Sequence, residues 1–179
     1  MNAYDPDAWQ NLAVATAGAA AALAGLIFVA VSLNLAKILS FARLPWRAGS
    51  TLGLLLVVLV GALLVLVPMD HTALGITLAV TGLLYCTLAI LAGLRQAAAP
   101  RRPAAAVSGP DSEREYAHSA VARAYHVLSL CVPALLVLVG GISVLAEAGG
   151  GLYWLVAGFI AGFVVAVLNA WVLLVEIER

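Results

Sequence analysis

Residues 152–175 read LYWLVAGFIAGFVVAVLNAWVLLV, a run of 24 residues with no Asp, Glu, Lys or Arg. About 20 apolar residues in a helix, rising about 1.5 Å each, cross a hydrocarbon core about 30 Å thick. Inside that core each backbone amide must find its partner within the protein. A long uninterrupted apolar run satisfies this as a helix, whereas barrel strands alternate over only about ten residues. The stretch therefore reads as a membrane-spanning helix.

Four more windows carry no charged side chain, residues 8–36, 48–69, 72–94 and 124–146, and the shortest has 22 residues. The predicted fold is all-α, a polytopic bundle of five transmembrane helices over about 11–35, 49–68, 73–94, 122–146 and 152–175. Composition agrees with this: 64% of the 179 residues are apolar and 10% charged, against about 45–50% and about 25% in soluble domains. Residues 1–7 hold Asp5 and Asp7 and no basic residue. A secretory signal begins with a positive segment, so the first window is expected to be a retained span.

Five spans place alternate connections on alternate sides. All nine basic residues, Lys37, Arg43, Arg47, Arg95, Arg101, Arg102, Arg114, Arg123 and Arg179, then share one side. Basic residues concentrate in cytoplasmic connections, so the N-terminus is expected outside and the C-terminus inside, in a multi-pass protein of the cell inner (plasma) membrane. One span more or fewer would scatter these charges. Trp9 and the Tyr153–Trp154 pair fall at outer helix ends and Trp46 and Trp171 near inner ones, where aromatic rings favour the headgroup level. Cys86 and Cys131 fall at equal depth and read as small packing residues rather than a disulfide, since the cytoplasm is reducing.

The two outer connections, Asp70–His71 after Pro68 and Glu147 leading into Gly149, Gly150 and Gly151, are short enough to make spans 2 and 3, and spans 4 and 5, hairpin neighbours. The link 95–121 is the only sizeable cytoplasmic part. Its Ala- and Pro-rich first half, residues 97–110, is expected to be disordered. Ser112 and Glu115 have the Ser-x-x-Glu form of a capping box, which predicts a helix from there that runs unbroken into span 4. Pro133 lacks the amide that would bond the Ser129 carbonyl, which predicts a kink in span 4.

Few residues could carry chemistry. Glu115-x-x-His118, continued by Ala122 and His126, has the spacing of di-iron bundles. Such sites need a second pair and bridging carboxylates from other helices, and no window supplies one, so the face reads as solvated. The candidate polar cluster or path is Asn34, His126, Asn169 and Ser129, near the inner ends of spans 1, 4 and 5. Such side chains commonly bond across helices, for about 0.6–2 kcal/mol each. Gly18, Ala22 and Gly25 in span 1, with Ala17 and Ala21 beside them, and Gly158 and Gly162 in span 5, are candidate helix-packing positions, because close approach of small residues drives association in lipid. Span 1 is accordingly expected at the centre of the bundle.

Several classes lack their groups. Voltage sensing and proton-coupled pumping need charges within spans. Phosphate-binding loops, His-Glu-x-x-His and Cys-x-x-Cys motifs are missing from the sequence, and Ser32, Ser129 and Ser143 have no evident base. Nucleic-acid binding is not expected, since topology accounts for the basic residues. No cofactor or metal is called for.

Residues 20–33, AAALAGLIFVAVSL, and residues 168–177, LNAWVLLVEI, resemble segments of a family of small uncharacterised bacterial membrane proteins, some of whose members carry the automatic label modulator of the FtsH protease. The likeness extends over the whole chain in layout, and it implies regulation of a membrane-bound protease. The expected function is that of a non-enzymatic integral membrane protein, an oligomeric scaffold or regulatory partner subunit, with the lipid bilayer and a homo-oligomer or membrane-protein partner around it. The alternative is a small channel or transporter lined by Asn34, Asn169, Ser129, Thr77 and Thr81.

Overall fold

The computed structural model describes residues 3–40, 44–98 and 110–178, with residues 110–123 described only in the course of their helix. Among these every regular element is helical. A single 3-10 turn, Pro6–Trp9, leads into α1 (Gln10–Leu33), followed by α2 (Leu35–Ser40), α3 (Leu44–Leu66), α4 (His71–Ala98), α5 (Pro110–Leu145) and α6 (Tyr153–Glu178). Five helical segments are long and apolar enough to cross a membrane, Pro6–Leu33, Pro45–Leu66, His71–Leu91, Ala124–Leu145 and Tyr153–Val172. The chain is thus an all-helical, multi-pass membrane protein.

The N-terminal turn, the α3–α4 connection and the α5–α6 connection gather at one end of the bundle, called here the N-terminal end. Lys37 and Arg47 belong to the other, basic end, where Ile38 packs on Ala48. α5 is the longest helix, 36 residues or about 54 Å, so its first turns project beyond a core about 30 Å thick. It starts at Pro110, two residues before Ser112, and runs without a break across Pro133. The stretch expected to be disordered is residues 97–110. Its first two residues complete α4 and Pro110 opens α5, while residues 99–109 lie outside the described residues.

The centre of the bundle is α3, which touches α1, α4, α5 and α6. Leu54, Leu55, Val58 and Ala62 on it are almost fully buried. Span 1, expected at the centre, is peripheral: α1 packs along α3, buries Ala13, Thr16 and Ala20, and scarcely meets α6. Its richness in small residues signals a surface fit for close contact, without saying that the contact lies in the same chain. At about 100° per residue, Gly18, Ala22 and Gly25 fall within about 60° of arc, opposite the buried side. A Cβ on Gly18 or Gly25 would meet nothing within 4 Å.

Helix α1 stops at Leu33. Asn34 ends α1: its amide N–H reaches back to the Val31 carbonyl at 3.2 Å and its Nδ2 donates to the Ala30 carbonyl at 3.0 Å. Local side-chain bonds of this kind compete with the helical ladder, and α2 starts afresh beyond it.

The closest pair is α4 with α5, although the longest connection joins them. Their contact is backbone to backbone. A Cβ on Gly82 would lie 2.7 Å from the Ala134 carbonyl oxygen and from the Leu138 nitrogen, and one on Gly141 would lie 2.5 Å from the Ala79 nitrogen. Gly75 and Gly93 extend the seam toward both ends, against Gly141 with Leu145 and against Val127. Cys86 and Cys131 sit within it as buried free thiols, with the Cys86 Sγ–H directed at the Cys131 carbonyl, 3.7 Å away.

At the N-terminal end the α5–α6 connection runs through positive φ at Glu147 (48°), Gly149 (84°), Gly150 (108°) and Gly151 (54°). Glycine carries such angles without steric cost. Ser143 braces this loop, its hydroxyl donating to the Ala148 carbonyl and accepting from the Gly151 N–H at 2.8 Å. The loop in turn holds the N-terminal segment: Leu152 N–H donates to the Ala3 carbonyl at 2.9 Å, and Trp9 meets Tyr153 edge-on with centroids 4.7 Å apart.

Candidate functional site: a polar cluster at the basic end

Polar side chains are scarce in the spans, so the places where they meet mark the candidate site. α3 begins at the basic end, and its second turn presents Ser50 and Thr51, both buried. Their hydroxyls donate to the Arg47 carbonyl at 3.0 and 2.8 Å, bonding back onto the preceding turn of their own helix. Across the bundle, Ser50 Oγ stands 3.3 Å from His126 Nε2 on α5. Tyr85 on α4 donates its hydroxyl to the Ser50 carbonyl at 2.9 Å. Asn169 on α6 lies beside His126, with its Nδ2 buried and without a hydrogen-bond partner. With the Ser50 hydroxyl proton on the Arg47 carbonyl, the His126 nitrogen facing Ser50 is the donor of that pair.

Of the four residues expected here, the fold brings His126 and Asn169 together. Ser129 is turned back on its own helix, donating to the His126 carbonyl at 2.8 Å. Asn34 bonds within α1 and ends that helix, so its expected role across helices is replaced by a local one. Ser50, Thr51, Tyr85 and Arg47 were not singled out from the sequence. Their only signal is position: Arg47, Ser50 and Thr51 sit around the basic end of span 2, and Tyr85 lies about two and a half turns inside the basic end of span 3. Thr77 and Thr81, expected along a path, donate to carbonyls of α4 itself, at 2.9 and 3.0 Å and at 2.7 Å.

Glu115 and His118 lie in the first turns of α5, where side chains are outside the described residues. The packing positions divide. Gly158 faces α5, where a Cβ would lie 3.2 Å from the Pro133 carbonyl oxygen and from Leu136. Gly162 faces α3, with Val58 at 2.6 Å. The span 5 pair is therefore used inside the bundle, and the span 1 pair is not.

A serine beside an imidazole is also the beginning of a nucleophile and base. Here the Ser50 hydroxyl proton goes to the Arg47 carbonyl, and the residue is 8% exposed. The neighbouring cavity is lined by Thr51 and Ala48 on the far side of α3. What the cluster does physically is tie α3 to α4 and α5 at one level. No protein-family model, curated protein or solved structure matches the chain.

Proposed function

We propose that the chain is a non-enzymatic scaffold or regulatory partner subunit of the bacterial inner membrane, with the N-terminus outside. It assembles through the outward face of α1, with a second copy or with a partner's helix. The observation that carries this reading is that face: Gly18, Ala22 and Gly25 form a smooth strip opposite α3, and among the described residues nothing comes within 4 Å of a Cβ placed on Gly18 or Gly25. Helix association in lipid depends on such close backbone approach. Support also comes from the polar groups, since Ser50, Tyr85 and His126 bond across helices and Thr77, Thr81 and Ser129 bond within them. A channel would need such groups turned toward a common path, so the channel reading has less behind it.

Gly25→Leu tests the reading. The parent is expected to run as an oligomer in lipid nanodiscs and to cross-link between copies or to a co-purified membrane protein, and the variant as a single copy with unchanged thermal stability. Liposomes containing the parent are expected to leak ions no faster than empty ones. A parent that is monomeric without any partner, or one that conducts, defeats the proposal. For orientation, cysteines placed at Asn2 and Ser108 are to be treated with an impermeant maleimide in intact cells. Labelling at Asn2 alone is expected, and labelling at Ser108 alone reverses the topology.

A further inference from the structure

Pinned to α6 at the N-terminal end, α1 diverges from it toward the basic end, and the spaces between the two helices record this. Beside Trp9, Ala13 and Phe159 the space is about 10 Å³. Deeper toward the basic end, beside Leu23 and Ala166, it is about 240 Å³. Beside Ala30 and Ala48, floored by α3, it is about 140 Å³. The last two share Leu26, Ile27 and Ala170, so they form one continuous crevice. It faces a different side of α1 from the Gly18–Gly25 strip, by about a third of a turn.

We propose that this crevice is a lipid site that holds one acyl chain of a phospholipid from the leaflet at the basic end. The walls are aliphatic apart from Trp171 and Thr51, and the Thr51 hydroxyl is already committed to the Arg47 carbonyl. A dry apolar cavity of about 150 Å³ takes up a benzene-sized molecule, and here the opening is on hydrocarbon rather than water. The length of the crevice, from Leu23 to Ala30 on α1, is about 10 Å at the helical rise, which suits a flexible chain lying along the helix and not a compact ring. α2 closes the basic end through Ile38 on Ala48 and Val31. Lys37 and Arg47, next to Ile38 and Ala48 in sequence, place positive charge at the level of a phosphate headgroup. Both already make contacts within the chain, and the site needs from them only their potential. The acyl chain thereby takes the place of the missing α1–α6 contact.

The test uses the full chain at low protein-to-lipid ratio in vesicles of phosphatidylethanolamine and phosphatidylglycerol, with a trace of phospholipid bearing a diazirine near the middle of one acyl chain. Photolabel is expected to concentrate at least fivefold on residues 23–30 and 166–171 relative to the lipid-exposed Leu83, Leu84 and Ile160. Ala170→Phe, which fills the crevice, is expected to abolish the excess. Ala30→Phe serves if that variant does not fold, and Ala157→Phe on the exposed side of α6 is the control. Labelling spread evenly over exposed apolar residues overturns the proposal. So does labelling of the crevice that disappears as protein density rises, since a second copy would then be its occupant. A prenyl alcohol that displaces the label, when excess phospholipid does not, overturns it in favour of an isoprenoid. Failure of Gly25→Leu to change assembly leaves this result untouched, because the two faces are separate.

Discussion

Gly141→Leu is expected to leave no folded, monodisperse protein after extraction into mild detergent. At that position a Cβ alone would stand 2.5 Å from the Ala79 nitrogen and 2.7 Å from the Gly75 carbonyl oxygen. Both are backbone atoms of α4, which cannot rotate aside as a side chain can. Extra methylenes forced into a packed interior typically cost about 1–3 kcal/mol even where side chains adjust, and total stability is about 5–15 kcal/mol. A leucine that must push two helices apart therefore removes most of it. Gly141→Ala is the graded version, expected to fold with a melting temperature lowered by several degrees. Size-exclusion chromatography and a thermal melt check both. Equal melting temperatures for Gly141→Ala and the parent would show that the helices separate there without cost.

The second large effect is expected at Gly151. Its φ of +54° costs an ordinary L-residue about 1–2 kcal/mol. A Cβ there would also collide with the Ala3 carbonyl oxygen and with the Tyr4 ring at 2.7 and 2.8 Å. Gly151→Val is therefore expected to release the N-terminal segment while the seam between α4 and α5 holds. Hydrogen exchange reads this directly, since the Leu152 N–H is protected by the Ala3 carbonyl. In the variant that amide is expected to exchange at least tenfold faster, with the amides around Ala134 unchanged. Unaltered protection at Leu152 would mean that the loop accommodates the side chain.

Five spans were legible in the sequence because the physics that sets them is one-dimensional: a charge-free run either is or is not long enough. Which faces meet was less legible. Leucine packed on leucine and leucine facing lipid are chemically alike, so apolar content does not separate Leu54, which is buried, from Leu56, which is exposed. Small residues carry the information in part. The span 5 pair, Gly158 and Gly162, meets α5 and α3, whereas Gly18 and Gly25 meet nothing among the described residues. The seam that matters most, Gly75, Gly82 and Gly93 on α4 and Gly141 on α5, went unmarked, although Gly75 and Gly82 are one heptad apart with Ala79 between them. At the polar cluster, depth along the chain brought out His126 and Asn169. It could not distinguish a side chain that bonds its neighbour's helix, as Tyr85 does, from one that bonds its own, as Asn34 and Ser129 do.

The interlock of α4 and α5 also limits how the protein can move. Gly75, Gly82 and Gly93 contact α5 on both sides of Pro133, so α4 acts as a splint across the residue most apt to bend. A piston stroke of one helical turn, about 5.4 Å, is a known way for one element to signal past another. Here it would drive Leu138 into the notch that Gly141 leaves for the α4 backbone. The turns of α5 that project beyond the membrane at the basic end are thus geared to α4: a pull on them turns or tilts the two helices as one stiff body and cannot slide one along the other.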